Sequence, residues 1–194
     1  MWSTHIVSMR RPNTLYRVTT AAVVFSLILG IVFIARTGLP SADVIARQEA
    51  SRPIIKVSDF NPGDVEIISL NNRRVIVWRR NETDRTLAAS QNAPEGWRHQ
   101  NSRVLGQAQT VFADDTNVTL EGEWFFALAE FSNPYQHLIL RSGDFEGFFE
   151  GLYAGHFDLA GRIRIGGGST NLTVIKAEYV DDGQGIQLYL DGKP

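Results

Sequence analysis

The sequence predicts a mainly β protein with a single N-terminal transmembrane helix. Two observations carry that prediction. Val18 to Ala35 reads VTTAAVVFSLILGIVFIA, eighteen residues without a charge. Beyond it, apolar runs are short and alternate with turn signals, the pattern of antiparallel strands.

The apolar stretch comes first in the chain. At 1.5 Å per residue it makes a helix about 27 Å long, against a bilayer core of about 30 Å. It is apolar on every face, which a helix buried in a soluble domain rarely is over such a length. Arg10, Arg11 and Arg17 precede it, and the first sixteen residues hold no acid. The positive-inside rule then assigns residues 1–17 to the cytoplasm, 18–35 to the membrane and the rest to the exported side. A cleaved signal peptide is the competing reading. Its apolar core would be long for that, and no small-x-small cleavage site follows. The Arg10–Arg11 pair continues poorly as a twin-arginine signal, because Pro12-Asn13-Thr14 comes next.

Residues 36–53 are small, polar and mixed in charge, and read as a linker or a short surface helix. Residues 54–194 form the β head. Ile54 to Val57 is a short strand and Asn61-Pro62-Gly63-Asp64 a turn. Val65 to Leu70 and Arg74 to Trp78 flank Asn71-Asn72, a two-residue hairpin signal. A helical turn is expected near Glu82 to Ala88, whereas Gln100 to Thr119 carries no clear pattern. Gly122 to Ala129 is continuously apolar, as in a strand buried on both faces. Phe145 to Tyr153 is rich in glycine and aromatics. Ile163 to Ile165, Leu172 to Val180 and Ile186 to Leu190 read as closing strands, the last two joined through Asp181-Asp182-Gly183.

Composition excludes several functions. Of 194 residues, 43% are hydrophobic, enough for a real core, and the formal net charge of −2 offers no basic field to nucleic acid. There is no cysteine, which removes disulfides, thiolate catalysis and cysteine-held metals. No nucleophile elbow, P-loop or dinucleotide fingerprint is present. Gly166-Gly167-Gly168 follows a strand, but no helix follows it, so it reads as a loop. His156 and Asp158 read as parts of a turn rather than as an acid–base pair. The N-x-T matches at Asn81, Asn117 and Asn171 are weak signals.

Gly155 to Val174, GHFDLAGRIRIGGGSTNLTV, resembles the stretch that follows the second cluster-binding box of Rieske proteins, G-S-H-Y-D-x-x-G-R-I-R-x-G-x-x-x-x-N-L. His156, Asp158, Gly161, Arg162, Arg164, Gly166, Asn171 and Leu172 all fall in place. Pro40-Ser41-Ala42-Asp43-Val44 resembles the start of that family's hinge. Pro62-Gly63 with Val75-Ile76-Val77-Trp78-Arg79-Arg80 resembles its first hairpin, and Glu123-Trp124 the strand leading to the first box. The resemblance thus implies an anchor, a hinge at 36–53 and an exported Rieske-like antiparallel β head, with a cluster-binding subdomain at about 130–166.

In that family the boxes C-T-H-L-G-C and C-P-C-H-G-S hold a 2Fe–2S cluster through one cysteine and one histidine each, and the other two cysteines form a disulfide. Here Tyr135 stands at the first ligand cysteine and Leu140 at the disulfide cysteine, while His137 keeps the ligand histidine. Glu150 replaces the second ligand cysteine, Leu152 the disulfide cysteine and Tyr153 the second histidine. The usual cluster cannot form without thiolates, so no cofactor, metal or catalytic residue is expected. Leu140 is expected to pack on Leu152 in place of the bridge. Tyr135, Phe145, Phe148, Phe149, Tyr153 and Phe157 are expected to fill the vacated space. A mononuclear metal site on His137 and Glu150, helped by Asp144 or His156, is the minor alternative.

The resemblance implies a non-redox accessory subunit, not an enzyme, of a respiratory membrane complex: a cytochrome bc complex or an associated haem–copper oxidase. Its partners would be that complex's subunits and membrane lipid, with no nucleic acid. It would sit in a bacterial inner membrane, N-terminus cytoplasmic, head periplasmic and fixed. A transient assembly or regulatory factor is the alternative.

Overall fold

A computed structural model describes residues 13–37, 44, 51–167 and 170–191. The expected cytoplasmic segment up to residue 12, residues 38–43 and 45–50 of the expected linker, and Gly168 lie outside the described residues. The chain divides into two compact units, Met1–Ile45 and Ala46–Pro194.

The first unit contains one helix, α1 (Asn13–Thr37). Tyr16–Ile34, a run of 19 residues, is long and apolar enough to cross a membrane, and its side chains are exposed throughout. An apolar helix exposed on all faces is stable only with lipid or partner helices around it.

The second unit is antiparallel β. Its strands are β1 (Ile54–Lys56), β2 (Val65–Leu70), β3 (Arg73–Arg79), β4 (Asn101–Arg103), β5 (Thr110–Phe112), β6 (Thr119–Leu120), β7 (Trp124–Leu128), β8 (Leu138–Leu140), β9 (Phe148–Glu150), β10 (Gly155–Phe157), β11 (Ile163–Ile165), β12 (Ala177–Val180) and β13 (Gly185–Leu188). Two short helices, α2 (Glu82–Ser90) and α3 (Asp115–Val118), join them. The sheet orders are β1-β13-β12, β2-β3-β7-β6, β11-β10-β9-β8 and the pair β4-β5.

The β2-β3-β7-β6 sheet is the centre of a sandwich, because both of its faces are apolar. Ile76, Trp78, Phe125 and Ala127 point to one side, where they meet Phe148, Phe157, Leu159 and Ile163 around the β8–β11 sheet. Val75, Val77, Trp124, Phe126 and Leu128 point to the other, against Ile55, Ile186 and Leu188 of β1 and β13. All five residues of β7 are buried, as its continuous apolar run predicts. The β2–β3 hairpin turns at Asn71 and Asn72, both left-handed at φ 47° and 61°. That is the two-residue turn whose twist matches paired strands.

The expected helical turn is a full helix, α2. The Asn81 side chain accepts from the Asp84 N–H at 2.8 Å, and the Asp84 carboxylate accepts from the Asn81 N–H at 3.1 Å. This reciprocal cap satisfies two donors that the first turn would leave open. The expected strand over Leu172 to Val180 is regular only in β12. Ahead of it, Val174 bridges both Val104 and Ala127. The chain is there passing along the edge of β7 on its way from one sheet to another, so a single regular strand cannot form.

Candidate functional site

The β8–β11 sheet carries the positions that the sequence singles out. Its register sets Leu138 opposite Glu150, Ile139 opposite Phe149 and Leu140 opposite Phe148. On the next strand, Gly155 faces Glu150, His156 faces Phe149 and Phe157 faces Phe148. Side chains alternate across a sheet. Leu138, Phe148, Glu150 and Phe157 therefore turn inward and are buried, while Ile139, Phe149, His156 and Ile165 line the outer face.

Glu150 is wholly buried, at 0% exposure. Its carboxylate accepts from the backbone N–H of Leu152 at 2.7 Å and of Tyr153 at 3.0 Å. A carboxylate taken out of water is costly unless hydrogen-bonded, and here the turn between β9 and β10 supplies both donors. The Glu150 side chain is thus committed to its own loop. Tyr135 is 78% exposed and Tyr153 47%. His137 is exposed, its Nδ1 lying 3.2 Å from the Tyr135 carbonyl oxygen.

These residues do not fit a 2Fe–2S cluster. The inner iron needs thiolates, and the chain has none. Nor do they form the mononuclear alternative. Glu150 is buried in its loop, His156 accepts at Nδ1 from the Asp144 N–H at 3.0 Å, and its ring meets Phe149 edge-on at 5.0 Å. No group of three or more His, Asp or Glu side chains able to hold a metal occurs among the described residues. His156 and Asp158 do not form a dyad either. His156 belongs to the outer face, whereas Asp158 is fully buried against two arginines.

The expected leucine clamp is not made. Leu140 pairs across the sheet with Phe148 and packs on the core. Leu152 lies four residues beyond Phe148, in the turn, and is 46% exposed. The turn lifts its side chain out of the sheet while Leu140 faces in. Among the aromatics, Phe148 and Phe157 fill the core, whereas Tyr135 and Tyr153 point to solvent.

Polar contacts hold the loops instead. Arg141, directly after β8, donates to the Asp84 carboxylate at 3.1 and 3.0 Å and to the Gly63 carbonyl, with its guanidinium 4.9 Å over the Trp78 ring. Asp84 also accepts from the Trp78 indole at 3.2 Å. From the other side, the N–H of Gly167 donates to the Tyr153 carbonyl at 2.9 Å. Gly166 passes so close that a Cβ there would lie 1.9 Å from the Ala154 oxygen, at a φ of +100°. Only glycine accepts both conditions. Beneath the loops, Arg162 donates to Asp158 at 2.7 Å, to Asn92 at 2.7 Å and to the Gln91 and Ala113 carbonyls, with Trp97 stacked 4.3 Å away. Burial lowers the pKa of the Arg162 guanidinium, and the Asp158 charge and hydrogen bond oppose that shift. The spacing Asn81-x-x-Asp84 is a legible capping signal; nothing in the sequence links Arg141 to it.

No family model matches the chain. Curated proteins do. The chain is 30% identical over 151 residues to the ubiquinol-cytochrome c reductase iron-sulfur subunit of Cereibacter sphaeroides, covering 74% of this chain and 76% of that protein. It is 31% identical over 153 residues to the subunit of the same name from Rhodobacter capsulatus, covering 73% and 76%. It is 26% identical over 142 residues to the Nicotiana tabacum mitochondrial cytochrome b-c1 complex subunit Rieske-1, spanning 49% of that longer protein.

Proposed function

The chain belongs to the Rieske iron–sulfur subunit family, and from that premise we propose that it is a non-redox accessory subunit of a respiratory membrane complex. The observation that carries this reading is Glu150. Glu150, which the sequence resemblance puts at a ligand position, is fully buried and tied to two amides of its own loop, in a chain without cysteine. The antiparallel β head is folded around it. A fold maintained after its electron carrier is gone serves as a scaffold.

In this reading residues 18–35 anchor the chain in a bacterial inner membrane, 36–53 join anchor to head, and 54–194 form a periplasmic head. Tyr135, His137, Glu150 and Tyr153 are former ligand positions, and Leu140 and Leu152 former disulfide positions. The partners are subunits of a cytochrome bc complex or an associated haem–copper oxidase. Electron shuttling has no purpose without a carrier, so the head is fixed on its partner.

Purification of the tagged full chain in mild detergent tests this. We expect co-migration with one of those complexes at about one copy per complex, stoichiometric with its haem subunit, and no iron or acid-labile sulfide contributed by this chain. Migration apart from every respiratory complex would overturn it. A substoichiometric amount would favour the transient assembly factor.

A further inference from the structure

The edge of β7 is covered by two separate segments laid end to end. β6 pairs with its first part, Leu120 with Trp124 and Thr119 with Phe125. The 173–175 segment covers the rest, the Ile175 N–H donating to the Phe126 carbonyl and the Leu128 N–H to the Thr173 carbonyl, each within 3.0 Å. The seam falls at Phe126. A cavity of about 210 Å³ opens there, lined by Val104, Val118, Leu120, Phe126, Val174 and Ile175, with Asn117, Thr119, Lys176 and Ala177. It lies where the two core clusters meet, since Val104, Val118 and Val174 belong to one and Phe126 and Ile175 to the other. Interiors are packed with few voids larger than a water, so an apolar gap of this size stands out.

Its polar groups are few and asymmetric. The Thr119 hydroxyl is already committed, donating to the Asp115 carbonyl at 2.6 Å and accepting from the Gly122 N–H at 3.1 Å. The exposed Asn117 amide and the exposed Lys176 ammonium have no side-chain partner among the described residues. Among the described residues of the lining, Lys176 is the only charged one. Apolar walls with one cation and one amide donor suit an apolar body bearing a single anionic head.

We propose that this cavity binds a short aliphatic monocarboxylate, its chain in the seam at Phe126 and its carboxylate at Lys176 and Asn117. Size sets the length: an apolar cavity of about 150 Å³ admits benzene, so roughly six to eight carbons fit here. Neither the scaffold role nor the former cluster positions enter into this site.

The test uses the full chain in lipid nanodiscs, with empty nanodiscs as the reference for partition into lipid, and carboxyl-labelled octanoate as probe, followed by NMR titration. Saturable binding is expected to the chain-bearing discs alone. Acetate should fail to bind, lacking the apolar body, and octanol should bind about tenfold more weakly, lacking the charge. Lys176→Gln, at an exposed position, should weaken octanoate about tenfold and leave octanol unchanged. Ala177→Leu, which fills the seam, should abolish binding of both; its melting temperature reports whether it still folds. Equal octanoate signals from loaded and empty discs overturn the proposal. So does octanoate binding that Lys176→Gln leaves at full strength, whatever becomes of the filled variant.

Discussion

The central sheet and the β8–β11 sheet hold themselves together by different means. In the central sheet, β3 and β7 run side by side over five paired positions, from Val75 with Leu128 to Arg79 with Trp124, and both faces are apolar. Both faces add burial to its strand ladder, at about 25 cal/mol for each Å² removed from water. In the β8–β11 sheet each strand is three residues long, and only its inner face is covered. Polar ties make up the difference: Glu150 to its loop, Arg141 to Asp84, and Arg162 to Asp158. Strands this short cannot fix two long loops by pairing alone. The β8–β11 region is therefore the one where single polar substitutions should have the largest effects, and apolar truncation on its surface the smallest.

Arg162→Met should show the largest effect. It leaves Asp158 buried beside Arg164 with its main partner gone. Breaking a buried pair from one side costs about 3–5 kcal/mol. Denaturant unfolding of the full chain, followed by tryptophan fluorescence, should move to a lower midpoint. If Asp158 is replaced by Asn in the same chain, part of the loss should return, because the buried carboxylate, by then held by Arg164 as its one remaining cation, is removed. A double variant no better than Arg162→Met would mean that the pair is not coupled.

Glu150→Gln comes next. One of the two loop amides would meet an NH₂ group instead of an oxygen, losing a charge-assisted hydrogen bond of roughly 1.5–3 kcal/mol. Hydrogen exchange should speed up at the Leu152 and Tyr153 amides and remain unchanged in β7. Exchange unchanged at those two amides would show that the loop does not depend on this carboxylate.

Ala154→Gly is expected to stabilise. Ala154 lies in the left-handed region at φ 50°, which costs an ordinary residue roughly 1–2 kcal/mol. Glycine removes that cost but adds entropy to the unfolded chain. The net gain should be at most about 1 kcal/mol, seen as a small rise in denaturation midpoint. A loss would show that Ala154 is not a source of strain in this turn.

The same contrast governs what the sequence discloses. The β2–β3 hairpin is legible because Asn-Asn is chemically suited to its turn, and β7 because an unbroken apolar run admits few other fates. Residues 100–119 are not, since β4, β5 and α3 are only three or four residues long, too short for a period to show. In the candidate site, the absence of thiolates is legible, because it follows from which residue types are present. The role of Glu150 is not. It depends on the register that turns position 150 inward beside Leu138 and Gly155, and on where the following turn directs its amides. Arg141 is hidden for the same reason: its partner Asp84 lies 57 positions away in sequence.

The smallest effect separates the two accounts of how the loops are held. If Leu140 and Leu152 replaced the disulfide, truncating either would open the clamp, and Leu152→Ala would cost much of the roughly 2–4 kcal/mol that a bridge contributes. The register argues otherwise. Leu140 is paired with Phe148 and packed on the core, while Leu152 is 46% exposed in the turn. Leu152→Ala should therefore change stability by less than about 0.5 kcal/mol, the range for surface positions, while Leu140→Ala should cost measurably more. Equal and large losses at both positions, non-additive in the double variant, would restore the apolar clamp. Near-silence at Leu152 alone would leave the hold on this turn to the Glu150 carboxylate and the close approach of Gly166. Both are polar or backbone contacts that a simple replacement of cysteine by leucine does not anticipate.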